Sequence, residues 1–438
     1  MEPLSHHAMR ELLIVSDHSK TRSILDLFDH THTSIGREQL RAMISTPKTS
    51  IAEIQAFQEV IRFISNDLDN LKITIPRSYI SATETYLQSS ISYTMSQDVV
   101  MHWFETMVFS FRHPAEFSRT QSGIFASYMF IEAVKNLSKQ FSIADLPQGL
   151  KDDFQVFEDF LEKASVQHLL KKPPHKLSNS KVFYYDYFIR VSKKKLFRKV
   201  LDTYYKLDAL IAIAKTTALY GFTFPFFDKK EAIFKVSGLY HPLLQNPIAN
   251  DLETGTNLCL ITGANTSGKT TFLKSCGLVI YLAHLGWPVP AKALTLSFVN
   301  RLYTSIQLSD DLGLGYSHFY NEVMRVKEVI VALDQGHQCF VIIDELFRGT
   351  NAEDAYACSN IVLTGLQQYS NSSFLISTHL LDLVRTFENN QSLTLKCFKT
   401  IVTGTSFENN FQISDGIATE KIGTLILKNT GVVALLGS

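Results

Sequence analysis

The feature that most constrains this chain is the octapeptide Gly263-Ala264-Asn265-Thr266-Ser267-Gly268-Lys269-Thr270. It has the form G-x-x-x-x-G-K-[ST], in which glycines let successive backbone N–H groups turn inward around phosphate oxygens. The lysine is then placed for the β and γ phosphates, and the hydroxyl of Thr270 for Mg²⁺. Such a loop works between a strand and a helix, where the helix N-terminus adds its own N–H groups. The surroundings fit: Leu258–Thr262 is a short apolar run of strand character, and a helical pattern follows from Thr271.

Two further apolar runs end in chemistry-bearing residues. Phe340–Asp344 closes on Asp344-Glu345, a carboxylate pair suited to holding a magnesium ion through Asp344 and polarising a water through Glu345. Alone, an Asp-Glu pair at a strand end reads as solvated surface; downstream of a phosphate loop it reads as catalytic. Phe374–Thr378 closes on His379, which at the end of a neighbouring strand would sense a γ-phosphate. Short strands alternating with helical stretches make the second half an α/β domain with a mostly parallel sheet.

The first half reads as helices. Ser50 and Glu53 form a capping-box pair ahead of Ile51, Ile54, Phe57, Ile61 and Ile64 at helical spacing. Asp98 to Phe111 reads as a buried helix, and Phe183 to Leu219 as one long helix of roughly 50 Å, the length of a strut. Lys171–Ser180, with its paired prolines, reads as a loop. The expected division is an all-helical domain over residues 1–227 and an α/β domain over 228–438.

Lys plus Arg equals Asp plus Glu at 42 each, so overall charge gives no argument for a polyanionic partner. One local basic cluster stands out: Lys193, Lys194, Lys195, Arg198 and Lys199. It reads either as a solvated helix face or as a phosphate-contact site. The cysteines are few, odd in number and never spaced C-x-x-C, which fits a reduced, cytoplasmic protein. The run Leu278–Leu285 is too short to span a bilayer, so no membrane association is expected.

These markers together resemble the MutS family of DNA mismatch-repair proteins. After the phosphate loop, Gly286 to Ala291 is similar to the segment following the family's P-loop helix. Asn300–Tyr303 through Ser309-Asp310-Asp311-Leu312 resembles its aspartate-bearing loop, and Ser317 to Glu322 its S-x-F-x-x-E signature. Asp344-Glu345-Leu346-Phe347-Arg348-Gly349-Thr350 is similar to its D-E-x-x-R-G-T box, and Ser377-Thr378-His379 to its T-H switch. In the first half, Asp29 to Gly36 with Leu40 and Pro47, then Leu207-Asp208 and Tyr220 to Pro225, resemble the two ends of the family's lever domain. His241-Pro242 resembles the entry to its ATPase, and Phe411 to Gly423 its last strands.

The resemblance implies an α plus α/β chain: a helical core/lever domain followed by a P-loop NTPase domain of the ABC type. It implies ATP and Mg²⁺ as cofactors, with Gly263 to Thr271 around the phosphates and Thr270 and Asp344 at the metal. Lys269, Glu345 and His379 would be catalytic. It also implies a head-to-tail homodimer of the ATPase heads, in which Ser317 donates to a γ-phosphate bound by the other subunit.

Departures from the pattern shape the expected function. Mismatch-reading members carry a Phe-x-Glu wedge in an N-terminal domain that this chain is expected to lack. Phe57–Glu59, Phe130–Glu132 and Phe160–Glu162 fit the tripeptide but fall inside helical patterns. The DNA-gripping clamp, the C-terminal helix-turn-helix and the nuclease-type tail are expected to be absent, and Phe347 stands where the family box has glycine. Pro247 occupies the place of an adenine-stacking aromatic. The expected function is therefore a DNA-associated, ATP-hydrolysing protein related to mismatch repair. The alternative is an ATP-switched dimeric module that acts on a protein partner without touching DNA. An unrelated P-loop transporter ATPase or kinase is disfavoured by the absence of an LSGGQ-type stretch and by Glu345 beside Asp344.

Overall fold

The computed structural model describes residues 1–16, 22–69, 71, 75–89, 98–171, 179–230, 232–306, 318–403, 406–419 and 423–436. The chain forms two compact units: Met1–Leu27, Met43–Gln58 and Thr217–Ser438 make the first, and Phe28–Ala42 with Glu59–Thr216 the second.

The first unit is α/β. Its strands are β1 (Phe226–Asp228), β2 (Phe234–Leu239), β3 (Asn250–Glu253), β4 (Leu258–Gly263), β5 (Ala293–Ser297), β6 (Arg301–Ser305), β7 (Cys339–Asp344), β8 (Ser373–Ser377), β9 (Leu393–Thr403) and β10 (Ser406–Asp415). Six of them form a sheet in the order β10-β9-β4-β8-β7-β6, parallel from β9 to β6 and closed by the antiparallel β10. The three strands expected from apolar runs all lie in this sheet. Their lack of alternation follows from burial on both faces: Leu258, Cys259, Leu260 and Ile261 are all fully buried. A smaller sheet, β1-β5-β2-β3, was not foreseen.

The helix Lys269–Leu285 lies against β4, β6 and β7. Nearly every side chain on it is buried, so it is apolar on all sides, as a helix inside a core is. This explains the run Leu278–Leu285. No described helix is long and apolar enough to cross a membrane. The five cysteines are free thiols. The N-terminal residues belong to this packing: a Cβ added at Gly277 would lie 2.6 Å from the Leu12 side chain. The Tyr281 hydroxyl donates to the Ile44 carbonyl at 2.8 Å.

The second unit is helical. Its core is aromatic, with Phe130 edge-on to Phe197 and Tyr204 at centroid distances of 5.9 and 5.1 Å. Asp208 ties its ends together. One carboxylate oxygen accepts from His32 N–H at 2.8 Å and the other from Thr33 N–H at 2.8 Å, capping the start of the helix Ser34–Ile44. Phe130 and Phe160 are fully buried within helices, and Phe57 lies on the helix Ile51–Asn66, so none is an exposed wedge.

Two expectations for this half are corrected. The pattern from Phe183 to Leu219 is not one helix. Asn179–Tyr187 runs into a π-helical turn at Phe188–Ser192, and a new helix spans Lys194–Tyr220 until Gly221 ends it at φ +63°. The helix read over Asp98–Phe111 exists as Val99–Arg112, with Asp98 capping Val100 and Met101, but it is not buried all round. Periodicity could not show this, because apolar residues occupy both of its faces.

Candidate functional site

The parallel strands bring the three motifs to one edge. Asp344 at the end of β7 lies in register with Ser377 at the end of β8, and Ile261 of β4 lies on the other side of Ser377. The crevice beyond the carboxyl ends of parallel strands is where α/β sheets place their ligands. Gly263 and Gly268 flank the loop at φ +151° and +101°, the second being the left-handed residue that starts the helix Lys269–Leu285. A side chain at Gly263 would meet the Phe398 carbonyl at 2.9 Å, so backbone approach there requires glycine.

Lys269 is buried, and its ammonium donates to the carbonyls of Gly263 at 2.6 Å and Ala264 at 3.0 Å. Burial lowers its pKa, while Glu345 and Asp344 oppose that shift. The Thr270 hydroxyl donates to Asp344 Oδ2 at 2.5 Å, which brings together two hard oxygen donors of the kind a small divalent cation takes. No group of three or more His, Cys, Asp or Glu side chains that could hold a metal by themselves occurs among the described residues.

Glu345 sits at φ +64°, a conformation that costs a non-glycine residue about 1–3 kcal/mol and clusters at functional sites. Its side chain is mostly buried, with Arg348 Nε at 3.6 Å and His379 Nδ1 at 3.8 Å. His379 is therefore brought to Glu345, while remaining more than half exposed.

Sequence reasoning gave Ser377 no task beyond membership of its segment, yet it joins the two acids. Its hydroxyl donates to Asp344 Oδ1 at 2.5 Å and accepts the Glu345 N–H at 3.0 Å. The signal available was its place at the end of β8, one residue before Thr378.

Beside the loop is a cavity of about 490 Å³, lined by Tyr240, His241, Ile248, Asn265, Thr271 and Phe411 among others. Pro247 is not among its lining residues. Asn250 fixes the Phe411 backbone, donating to the Phe411 carbonyl at 3.1 Å and accepting the Ile413 N–H at 2.7 Å. Asn409 holds the loop from outside, donating to the Thr266 carbonyl at 3.1 Å. Burial pushes the His241 imidazole down to about 4, with Lys274 adding to the shift, so the ring facing this cavity is neutral at pH 7. Ala264 and Ser267 complete the loop, Ser267 by donating to the Ala264 carbonyl at 2.7 Å.

Ser317 and the segment Ser309-Asp310-Asp311-Leu312 lie outside the described residues. Lys193, Lys194, Lys195, Arg198 and Lys199 are all exposed and belong to the helical unit.

Residues 259–434 match the family model of MutS domain V. This match runs from inside β4 to the last described helix and covers the loop, both acids and His379. Over these residues the chain is similar to the ATPase-bearing part of the MutS family. It is similar to the DNA mismatch repair protein MutS of Thermotoga petrophila, 27% identical over 245 residues, or 55% of this chain and 30% of that protein. The MutS protein of Symbiobacterium thermophilum is 32% identical over 187 residues, 41% of this chain and 21% of that protein. The Thermotoga maritima protein is 26% identical over 245 residues. The chain thus spans a third or less of the curated MutS relatives it matches.

Proposed function

We propose that this chain binds and hydrolyses ATP with Mg²⁺ and uses the cycle in a DNA-associated role related to mismatch repair. The observation that carries the reading is the convergence of Lys269, the Thr270–Asp344 pair and Glu345 at adjacent strand ends, beside a cavity large enough for a nucleoside. The backbone of residues 263–271 would cradle the phosphates at the helix N-terminus. Lys269 would leave the carbonyls of Gly263 and Ala264 for the β and γ phosphates. Thr270 and Asp344 would hold Mg²⁺, which supplies charge neutralisation on the phosphate oxygens. Glu345 would take the proton of the attacking water, and His379, close to it, would sense the γ-phosphate. The base would lie in the cavity against Phe411 and the neutral ring of His241.

The wider role rests on the match to MutS domain V and on the relatives' printed names. The helical unit would act as the core/lever domain, the α/β unit as the ATPase head, and ATP would pair two heads, with Ser317 as the residue reaching across. Association with DNA would use the exposed cluster from Lys193 to Lys199.

The test is Mg²⁺-dependent ATP turnover, followed by fluorescence anisotropy with duplex, mismatched and four-way-junction DNA, with and without ATP, at two salt concentrations. Salt-sensitive binding that changes with ATP supports the DNA role. Turnover without DNA binding would leave the ATPase and move the role to a protein partner, and absence of turnover would sink both.

A further inference from the structure

We propose that the outer face of the helix Val99–Arg112 is a self-association surface, pairing antiparallel with the same helix of a second copy. One face of this helix is buried in its own unit: His102 and Phe109 are 1% and 5% exposed. The other face carries Val100, Phe104, Met107 and Phe111, which are 72%, 56%, 40% and 77% exposed. Large apolar side chains this accessible, on consecutive turns, are unusual on a surface that meets only water.

Three observations favour a second copy as the occupant. The first is spacing. Steps of four, three and four residues read the same in both directions about the helix midpoint. Two such helices related by a two-fold axis set Val100 opposite the partner's Phe111 and Phe104 opposite the partner's Met107, and an isologous contact requires such self-complementarity. The second is area. With Met101 and Trp103, both about half exposed, these side chains offer roughly 700 Å² of mostly apolar surface, close to one partner's share of a standard interface. The third is charge. Glu105 is the one charged side chain inside the helix, with Asp98 at one end and Arg112 at the other. Antiparallel pairing brings opposite charges to each end, whereas parallel pairing would set like charges together. A cavity of about 300 Å³, lined by Trp103, Tyr184, Tyr187 and Phe188, extends the apolar surface to one side. A membrane-surface helix would instead carry lysines and arginines along its polar face, and this helix has none before Arg112.

The pairing needs no nucleotide, which separates it from ATP-dependent pairing of the heads. Sedimentation velocity of the full nucleotide-free chain at micromolar concentration is expected to show twice 49.5 kDa. Phe104→Glu, at an exposed position, should keep the native circular dichroism spectrum and weaken association at least about a hundredfold, by burying two charges at the centre of the contact. The register is read by cysteines. Under mild oxidation the Val100→Cys/Phe111→Cys double variant should form a disulfide-linked dimer. Neither single variant should, with the oxidised wild-type chain as the blank. Within one helix the two positions are about 16 Å apart and cannot bridge. A monomeric wild-type chain, a dimer indifferent to Phe104→Glu, or a cross-link from Val100→Cys alone would each overturn the proposal, and vesicle binding by a monomer would reassign the face to lipid.

Discussion

At the scale of single residues, the candidate site turns on how Glu345 is held. Its positive φ is strained, and two contacts oppose relaxation: the N–H bonded to Ser377 Oγ and the strand register that sets Asp344 beside Ser377. Glu345→Gln keeps the volume and removes the proposed base, so ATP should still bind while turnover falls about 10²–10⁴-fold. Single-turnover kinetics beside a binding isotherm checks this, and unchanged turnover would remove Glu345 as the base. The Ser377 hydroxyl is engaged by the Asp344 carboxylate and the Glu345 N–H. The expected effect of Ser377→Ala is a positioning one: turnover reduced roughly tenfold and a higher Mg²⁺ requirement, because Asp344 loses the bond that orients it. A Mg²⁺ titration that matches the wild-type chain would argue against this role.

A second residue sets a pH dependence. His284 is fully buried, donating from Nδ1 to the Ile280 carbonyl at 2.8 Å and accepting the Val299 N–H at Nε2 at 3.0 Å. Burial pushes its pKa from 6.5 down to about 3, against a partial rise from the Ile280 bond. The unfolded chain binds this proton more readily than the folded one. The contribution is therefore complete above pH 6.5 and is lost as pH falls toward 3, at up to about 1.4 kcal/mol per unit. His241, pushed to about 4, acts in the same direction. The midpoint of denaturant unfolding should be flat above neutrality and fall below it, and His284→Gln should shallow that fall. An equal slope in the variant would locate the dependence elsewhere.

At the scale of elements, Gly286 shows how a helix end can be specified from outside the helix. It closes the helix Lys269–Leu285 at φ +77°, and a Cβ there would lie 3.1 Å from the Ile54 carbonyl and 3.2 Å from Phe57. Gly336 has a similar φ, +82°, with nothing near. Gly336→Ala should cost about 1 kcal/mol for its backbone alone, and Gly286→Ala clearly more, since a backbone carbonyl must also move. Paired thermal melts compare them, and equal losses would mean that the Ile54 contact yields freely. Much at this scale was legible in the sequence. The strands β4, β7 and β8 were visible as apolar runs because both faces are buried, and the capping signal at Ser50 and Glu53 marked the helix Ile51–Asn66. Other features depended on the fold. The smaller sheet escaped notice because its strands are short and half-exposed. Ser377 and Phe411 were read only as members of longer segments, because their roles come from register and from a distant asparagine, Asn250. The exposed face of Val99–Arg112 read as core because burial is a property of what lies opposite, which composition does not encode.

At the scale of the whole molecule, the two compact units imply more than one unfolding event, since each has its own core. They also separate the effects of substitution and ligand. Asp208 lies in the helical unit, where its carboxylate accepts from His32 N–H, Thr33 N–H and the Thr33 hydroxyl. It is buried, so Asp208→Ala leaves two backbone donors without their acceptor, at a cost of about 2–4 kcal/mol. That loss should lower the transition of the helical unit and spare the other. Mg²⁺ with a non-hydrolysable ATP analogue should do the reverse. At about a hundredfold excess over its dissociation constant it should stabilise the α/β unit by about 2.7 kcal/mol, because it binds that unit only when folded. Scanning calorimetry of the wild-type and Asp208→Ala chains, each with and without nucleotide, gives four traces. If the two perturbations move different transitions, the units fold with separable stabilities and the nucleotide site belongs to the α/β unit alone. If a single transition responds to both, the helices Ile51–Asn66 and Lys194–Tyr220, which the unit boundaries divide, carry the cooperativity, and the two units must be treated as one thermodynamic body.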